Sequence, residues 1–506
     1  MRMITFLTTT GFLVAASVSQ AQVATPAACE QLATRPLAGG GITSAAVSPA
    51  AEGLPATCRA AATLTPTADS EIKIEVWMPL TGWNGKFHSA GGASGANSAI
   101  GGSINYQPMQ AALRNGYATA GTDGGHTGAT LSFAPGHPEK VIDFGYRAVH
   151  EMTVTAKSLI ATFYGAGPRF SYWNACAAGG RQGWQEIQRY PADYDGLIVS
   201  DPANAWSKLQ SWSLWVWQAA HETPASYIPP AKYPAMHKAA LDACDALDDV
   251  TDGLIENPLA CTFDPKVLQC TAGDNDSCLT PSQVDAARKI YSPAKNPRTG
   301  AEIFPGLMPG SELSWGSLAG PEVPYYATET YKHLVFNDPN WSAAARPINF
   351  DTDVARAETA SAALNADNAN IKPFLDRGGK IIAYGGWTDP LISPLNEVNL
   401  YKRVASTVGQ VQVDRSYRLF MVPGMNHCRG GEGTDTFDML PALEAWVEQG
   451  KAPDRIEASK VVQGRVQRTR PLCPFPQVAR YSGRGSTDDA ANFVCAAPPA
   501  TGSRTN

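Results

Sequence analysis

"YWNACAAGGRQGWQEIQRYP" (172–191) decides the fold. "RFSYWN" (169–174) reads as a strand and "GGRQGWQEIQRY" (179–190) as a helix that Pro191 ends. Between them Ala175, Ala178, Gly179 and Gly180 surround position 177 with small side chains. A tight strand-to-helix turn needs such residues, because the backbone is crowded and the helix packs closely on its sheet. Turns of this form present a serine to an electrophile. Residue 177 is alanine.

Working outward, the flanking pattern alternates strands with helices, which points to an α/β layer fold. "EIKIEVWMPL" (71–80) alternates with period two and reads as a strand. "RNGYATAGTDGGHTG" (114–128) starts as a buried strand and runs into a glycine-rich loop. "GYRAVHEMTVTAKSLIATFYG" (145–165) is a helix closed by Gly165. "DGLIVSDP" (195–202) is the next strand. The rhythm stops for residues 205–375, which are rich in Trp, Pro, Asp and local cysteine pairs. It resumes at "GGKIIAYGGWTDPLISP" (378–394), "NEVNLYKRVAST" (396–407) and "YRLFMVPGMNHC" (417–428). The expected architecture is an α/β-hydrolase core, residues 22–204 and 376–506, with residues 205–375 inserted as a lid.

Three strand ends then fall in the order Ala177, Asp389, His427, which is the chain order of nucleophile, acid and base in an α/β-hydrolase. His427 suits a general base leaning over the turn, and Asp389 a carboxylate that holds its tautomer. The N–H of Ala178, at the helix N-terminus, is a candidate oxyanion donor. "HSAGGASG" (88–95) follows an early strand and offers a second near Gly91 or Gly92. Taken singly, a loop histidine or an aspartate before proline is an ordinary turn residue. Their order, and cysteines beside 177 and 427, carry the joint reading. His126 and His150 are read as structural.

The 506-residue chain has a net charge of −6, which gives no electrostatic reason to expect nucleic acid, and no Lys/Arg run marks a membrane-surface patch. Residues 1–21 read as an export signal: Arg2, an apolar run from Ile4 to Val18, then Ser19-Gln20-Ala21 as a cleavage site. The expected location is secreted or periplasmic. Ten cysteines then point to disulfides. Cys29, Cys58, Cys244, Cys261, Cys270, Cys278, Cys473 and Cys495 fall into sequence-local pairs; Cys176 and Cys428 are left over. Buried free thiols are the alternative for some of them.

"CDALDDVTDGLIENP" (244–258) crowds Asp245, Asp248 and Asp252 into eight residues, with Gly253 permitting a sharp turn. Hard oxygen ligands in a tight loop suit Ca²⁺. A solvated acidic helix face is the alternative, since the same three residues would share one. "WSLWVWQ" (212–218), Trp315, Tyr325, Tyr326, Phe336 and Trp341 make the insertion aromatic, as the lid's own core or as the lining of a pocket for a flat phenolic group.

The sequence resembles the tannase and feruloyl esterase family of α/β-hydrolases, which also contains mono(2-hydroxyethyl) terephthalate hydrolase. The resemblance covers nearly all of the mature chain. It is carried by "GYATAGTDGGHTG", "DFGYRAVHEMTVTAKSLIATFYG", "YWNACAAGGRQGWQEIQRYPADYDGL", "GGWTDPLISP", "VPGMNHCRGG" and "RTRPLCPFPQVARYSGRGSTDDAANFVC". It implies a nucleophile turn of Cys-Ser-x-Gly-Gly at 176–180, an acid at Asp389 and a base at His427. It also implies the bridges Cys176–Cys428, Cys29–Cys58, Cys244–Cys261, Cys270–Cys278 and Cys473–Cys495. A structural calcium in the lid would use the carboxylates of Asp245, Asp248 and Asp252, with the main-chain oxygens of Val250 and Leu254. The departure is Ala177 in the serine position.

Losing the nucleophile costs a serine hydrolase about a million-fold in turnover, leaving roughly 10³–10⁴ over water from binding and the oxyanion hole. Three readings follow. The chain is an aromatic-ester hydrolase with turnover nearly abolished, a protein that binds such esters without cleaving them, or an enzyme in which His427 and Asp389 act without an acyl-enzyme. The partner in each is a small aromatic ester, not nucleic acid or membrane.

Overall fold

The computed structural model describes residues 24–92 and 98–498. The expected export signal lies outside these, and no helix among the described residues is long and apolar enough to cross a membrane. The strands in chain order begin with β1 (Pro36–Leu37), β2 (Gly40–Ser48), β3 (Thr57–Leu64), β4 (Ile72–Pro79), β5 (Lys86–Ser89) and β6 (Ala118–Thr122). They continue with β7 (Phe170–Cys176), β8 (Gly196–Ser200), β9 (Ala294–Lys295), β10 (Glu302–Phe304), β11 (Lys380–Gly386) and β12 (Tyr417–Val422). Ten of them form one sheet in the order β1-β2-β3-β4-β6-β5-β7-β8-β11-β12.

β1 to β4 pair antiparallel, as does β4 with β6; from β6 to β12 every pairing in this sheet is parallel. The parallel strands are buried on both faces, which is why they read as short apolar runs without alternation. Helix Ala148–Tyr164 ends on Gly165 at φ 76, the left-handed C-cap expected of glycine. It packs Met152, Leu159, Ile160 and Phe163 into the main core, with Trp173 and Trp184.

Parallel strands all present their C-terminal ends at one edge of a sheet, which is where open α/β folds place their sites. Cys176 lies opposite Ser200, and Ser200 and Phe420 both lie opposite Tyr384. The residues that follow β7, β8, β11 and β12 are therefore gathered at one edge.

Between residues 205 and 375 the structure is helical, with β9 and β10 as its only two strands. Its aromatic residues form clusters of their own: Trp206, Trp212, Phe304 and Trp315 in one, Tyr331 and Trp341 in another. The first also takes in Ile100, Leu131 and Ile392, so the insertion's core continues into the segments beneath it.

Two hairpins close the chain: β13 (Ile456–Val462) with β14 (Arg465–Leu472), and β15 (Val478–Tyr481) with β16 (Phe493–Ala496). All five bridges implied by the family resemblance are formed, and no cysteine is free.

Candidate active site

β7 runs straight into the helix Ala178–Arg189 through one residue, Ala177, at φ 56 and ψ −115. A side chain held at positive φ is strained by about 1–3 kcal/mol and persists only when its surroundings fix it. They do. The Ala177 N–H donates to Ser200 O at 3.0 Å, and its carbonyl accepts from Arg181 N at 2.9 Å and Ala203 N at 3.1 Å.

The small residues around the turn are explained by contact. A Cβ on Gly180 would lie 2.7 Å from Ser200 O and 3.2 Å from Pro202, and both neighbours are backbone or proline ring. Gly180→Ala is therefore expected to destabilise the protein by about 1–3 kcal/mol, as overpacking does. The midpoint of denaturant unfolding measures it; an unchanged midpoint would show that the helix can move off β8.

His427 follows β12 and Asp389 follows β11. His427 Nδ1 is 2.7 Å from Asp389 Oδ2, while Oδ1 accepts from Leu391 N at 2.7 Å and Ile392 N at 3.0 Å. With both carboxylate oxygens engaged, Asp389 is fully buried and its orientation is fixed. Thr388 Oγ1 donates to Met425 O at 2.8 Å, tying the acid's turn to the histidine loop. The Cys176–Cys428 bridge, with Cα atoms 6.0 Å apart across 252 residues of sequence, links that loop to the turn at 177. A ring nitrogen of His427 lies within 4.8 Å of both bridge sulfurs.

Burial disfavours the charged imidazole, but Asp389, by charge and hydrogen bond, and Asp201, by charge, outweigh it and raise His427 to about 9. Such a ring holds its proton more firmly than a free imidazole does.

Ala177 and His427 open on the same cavity, of about 200 Å³. Trp206, Tyr325 and Tyr326 give it aromatic walls, Leu391 and Ile392 an aliphatic one, and Gln210 and Ser213 polar points. Apart from His427, no ionisable acid or basic amine lines it among the described residues. Of the aromatic residues singled out in the sequence, Tyr325 and Tyr326 are lining, while Trp212, Trp315 and Trp341 are buried in the insertion's clusters. Trp206 was not singled out; it precedes the aromatic run and begins the helix Trp206–His221. Arg346 lies over the Phe336 ring at 4.5 Å, and neither it nor Lys332 reaches the cavity. His126 bonds Ile100 O at 3.0 Å and His150 bonds Asp193 at 2.6 Å, both apart from it.

Ala178 is the first residue of the helix and lines the cavity. The loop after β5 comes against that helix: a Cβ on Gly179 would lie 3.1 Å from the Gly91 carbonyl carbon. A Cβ on Gly91 would strike Gln182 Oε1 and the Trp173 ring. Gly92 N donates to Gln182 Oε1 at 2.9 Å, so that N–H is already engaged. Gln182 is a second-turn helix residue that sequence reasoning did not single out.

The acidic loop is closed on itself. Asp245 and Asp248 fall in a short 3-10 turn rather than on an extended helix face. Asp245 accepts from Asp252 N at 3.2 Å and Gly253 N at 2.9 Å; Asp248 accepts from Val250 N at 3.1 Å, and Asp252 from Leu254 N at 3.3 Å. Arg470 pairs with the other Asp252 oxygen, and Arg468 stands 3.5 Å from it. Burial, with Asp252 beside it, raises Asp248 to about 6. Burial raises the adjoining Glu256 to about 8. Asp245, Asp248 and Asp252 do not bring three ligand oxygens within 4.8 Å of one another, and Arg470 already answers part of the charge.

The family described as tannase and feruloyl esterase matches residues 58–496 of this chain. An uncharacterized esterase of Xanthomonas campestris pv. campestris is 38% identical over 492 residues, covering 87% of this chain and 84% of that protein. A probable feruloyl esterase B-1 of Aspergillus oryzae is 34% identical, covering 86% and 83%. Among solved structures, feruloyl esterase B from Aspergillus oryzae superposes with a TM-score of 0.86 at 30% identity, over 93% of this chain and all of that one. Tannin acyl hydrolase from Aspergillus niger, 20% identical, shares the fold with a TM-score of 0.77 over 94% and 95%.

Proposed function

The chain belongs to the tannase and feruloyl esterase family of carboxylic ester hydrolases, and on that premise we propose that it keeps the binding and proton-transfer frame of an aromatic-ester hydrolase in which Ala177 stands for the serine. The observation that carries this is the single cavity shared by Ala177 and the Asp389-bonded His427, beside the Cys176–Cys428 bridge.

In this reading 177 is the nucleophile position, His427 the base and Asp389 the residue that fixes its tautomer. The Ala178 N–H and an N–H near Gly91 receive the oxyanion, or the Gly92 N–H if Gln182 releases it. A serine oxygen at 177 would attack the ester carbonyl as its proton passes to His427 Nε2. Collapse of the tetrahedral intermediate would return that proton to the departing alcohol, and water would repeat the sequence to free the acid. The Ala177 methyl can do none of this, so the chain as written binds its ester and scarcely turns it over.

Residues 22–204 and 376–506 form the hydrolase core in this proposal, and 205–375 the lid. The lid supplies Trp206, Tyr325 and Tyr326 to the cavity, which suits a flat phenolic acyl group. Among the described residues the wall has no cation other than His427, which favours neutral esters of hydroxycinnamic or gallic acids over a terephthalate monoester anion. A panel of these three ester types, run against the chain and its Ala177→Ser variant, tests the proposal. Cleavage by the serine variant alone supports it. Tight binding with no cleavage by either variant favours the ligand-capturing alternative. The third reading, in which His427 and Asp389 act without an acyl-enzyme, would show as hydrolysis by the unmutated chain that His427→Ala abolishes.

Ca²⁺ in the loop 245–254 would be held by the carboxylates of Asp245, Asp248 and Asp252 with the carbonyls of Val250 and Leu254. Its role would be to stabilise a segment with little core of its own, next to the Cys244–Cys261 bridge. At about a hundredfold excess over Kd, a bound ion contributes about 2.7 kcal/mol. Chelation with EDTA should then lower Tm by several degrees, and added calcium should restore it. A Tm indifferent to both would remove the ion from the proposal. Five disulfides suit an oxidising compartment, secreted or periplasmic.

A further inference from the structure

β8 ends on Ser200, and the residue after it has no part in the mechanism above. Asp201 is buried, and its backbone lies at φ 36, where a side chain is strained. Its contacts account for the conformation. Oδ1 accepts from Gly386 N at 3.0 Å, Oδ2 accepts from Cys428 N at 2.8 Å, and the Asp201 N–H donates to Tyr384 O at 3.0 Å. Gly386 lies three residues before Asp389, and Cys428 directly follows His427. One carboxylate therefore spans the turns that carry the acid and the histidine. It does so from the strand end whose Ser200 carbonyl holds the Ala177 N–H. An Asp201 oxygen, an Asp389 oxygen and a His427 ring nitrogen all lie within 4.8 Å of one another.

We propose that Asp201 is a positioning residue for His427: a second carboxylate beside Asp389 that fixes the histidine loop and sets another acidic group against the ring and its proton. The claim about turnover rests on the esterase reading; the claim about the ring's proton does not.

The charges that meet here come from four elements. His427 faces Asp389 from the turn after β11 and Asp201 from the turn after β8. Asp201 faces both of them, and burial and Asp389 push its carboxyl up to about 8 against the pull of His427 and the two N–H donors. From the helix Leu395–Val408, Glu397 faces both aspartates. Its carboxyl oxygens have no hydrogen-bond partner among the described residues, and burial followed by those charges raises it well above the carboxylate range, so it stays neutral. Tyr384 of β11 is raised to about 12, chiefly by burial, and also feels Asp201, Glu397 and Arg429. It is neutral across the range that matters.

Once ionised, Asp201 places a second negative charge beside the ring. Removing a neighbouring anion disfavours the imidazolium, so the His427 midpoint must fall. For an opposite charge at this range the expected fall is about one pH unit or more.

The test is an NMR titration of the His427 imidazole in the unmutated chain and in Asp201→Asn, with the resonance assigned through His427→Gln. The unmutated chain should show a main inflection near 9 and a smaller one as Asp201 ionises. In Asp201→Asn the main inflection should fall and the smaller one vanish. A midpoint that does not move in the folded variant would overturn the proposal. If Asp201→Asn fails to fold, a single-step curve in the unmutated chain would overturn it, and a two-step curve would support it. Neither measurement needs turnover, so an inactive Ala177→Ser protein would defeat the esterase reading and leave this one standing. Where the serine variant is active, adding Asp201→Asn should move the acid limb of kcat/KM to lower pH; a purely structural brace would lower kcat and leave the limb in place.

Discussion

Ala177→Ser is expected to raise the turnover of aromatic carboxylate esters by about a million-fold, the scale of loss when a serine hydrolase is deprived of its nucleophile. The turn at that position would need no rebuilding to take a serine. The strained backbone at φ 56 already carries a Cβ, and three main-chain hydrogen bonds hold it there. The new hydroxyl would enter a cavity that His427 also lines. No existing contact is removed, so Tm should change little, and the gain would belong to chemistry rather than to folding.

The assay has to extend into alkaline solution. His427 is raised to about 9, and a general base works only when unprotonated, so kcat/KM should rise with pH up to that value and then level off. An Ala177→Ser protein with its five bridges formed and no hydrolysis anywhere between pH 7 and about 10 would end the esterase reading. A rate that already levels off near pH 6.5 would place the histidine at its ordinary value and contradict the charge balance around it.

In that serine-restored protein, Asp389→Asn should lower kcat by about 10⁴-fold, as the loss of the buried acid does in serine proteases. The size of the effect comes from the tautomer. Asp389 Oδ2 accepts from His427 Nδ1, which leaves Nε2 free to take a proton from the nucleophile. Oδ1 is committed to the N–H groups of Leu391 and Ile392. In an asparagine those two donors require the amide oxygen on their side, so the NH₂ must face His427. The ring then accepts at Nδ1 and carries its proton on Nε2, the wrong nitrogen for a base. The fold should persist because the side chain keeps its shape, and KM should move far less than kcat. A loss of less than about tenfold would mean that Asp201, the other carboxylate near the ring, substitutes for Asp389.

The turn at 177 and the order Ala177, Asp389, His427 were legible because each depends on local constraint. Crowding at a strand-to-helix junction demands small residues within a few positions, and strand ends are marked by apolar runs stopping at Gly or Pro. The bridging partners came from family resemblance, since ten cysteines alone allow many pairings. The sheet before residue 70 was missed. β2 and β3 are "GGITSAAVS" and "TCRAAATL", rich in alanine and glycine, which carry little strand preference of their own. They are strands because β4 offers an edge for them to pair with.

The sequence by itself determined an α/β-hydrolase frame, its three aligned strand ends, and an alanine where the chemistry calls for a hydroxyl. Only the tertiary structure decided which lid aromatics reach the cavity and that Gln182 occupies the Gly92 N–H. It also decided that Asp201 joins Asp389 at the imidazole. The physical reason is range. Backbone conformation is set by neighbours a few residues away, whereas charge and cavity shape depend on groups brought together from positions 201, 326, 389 and 427 only when the sheet has formed.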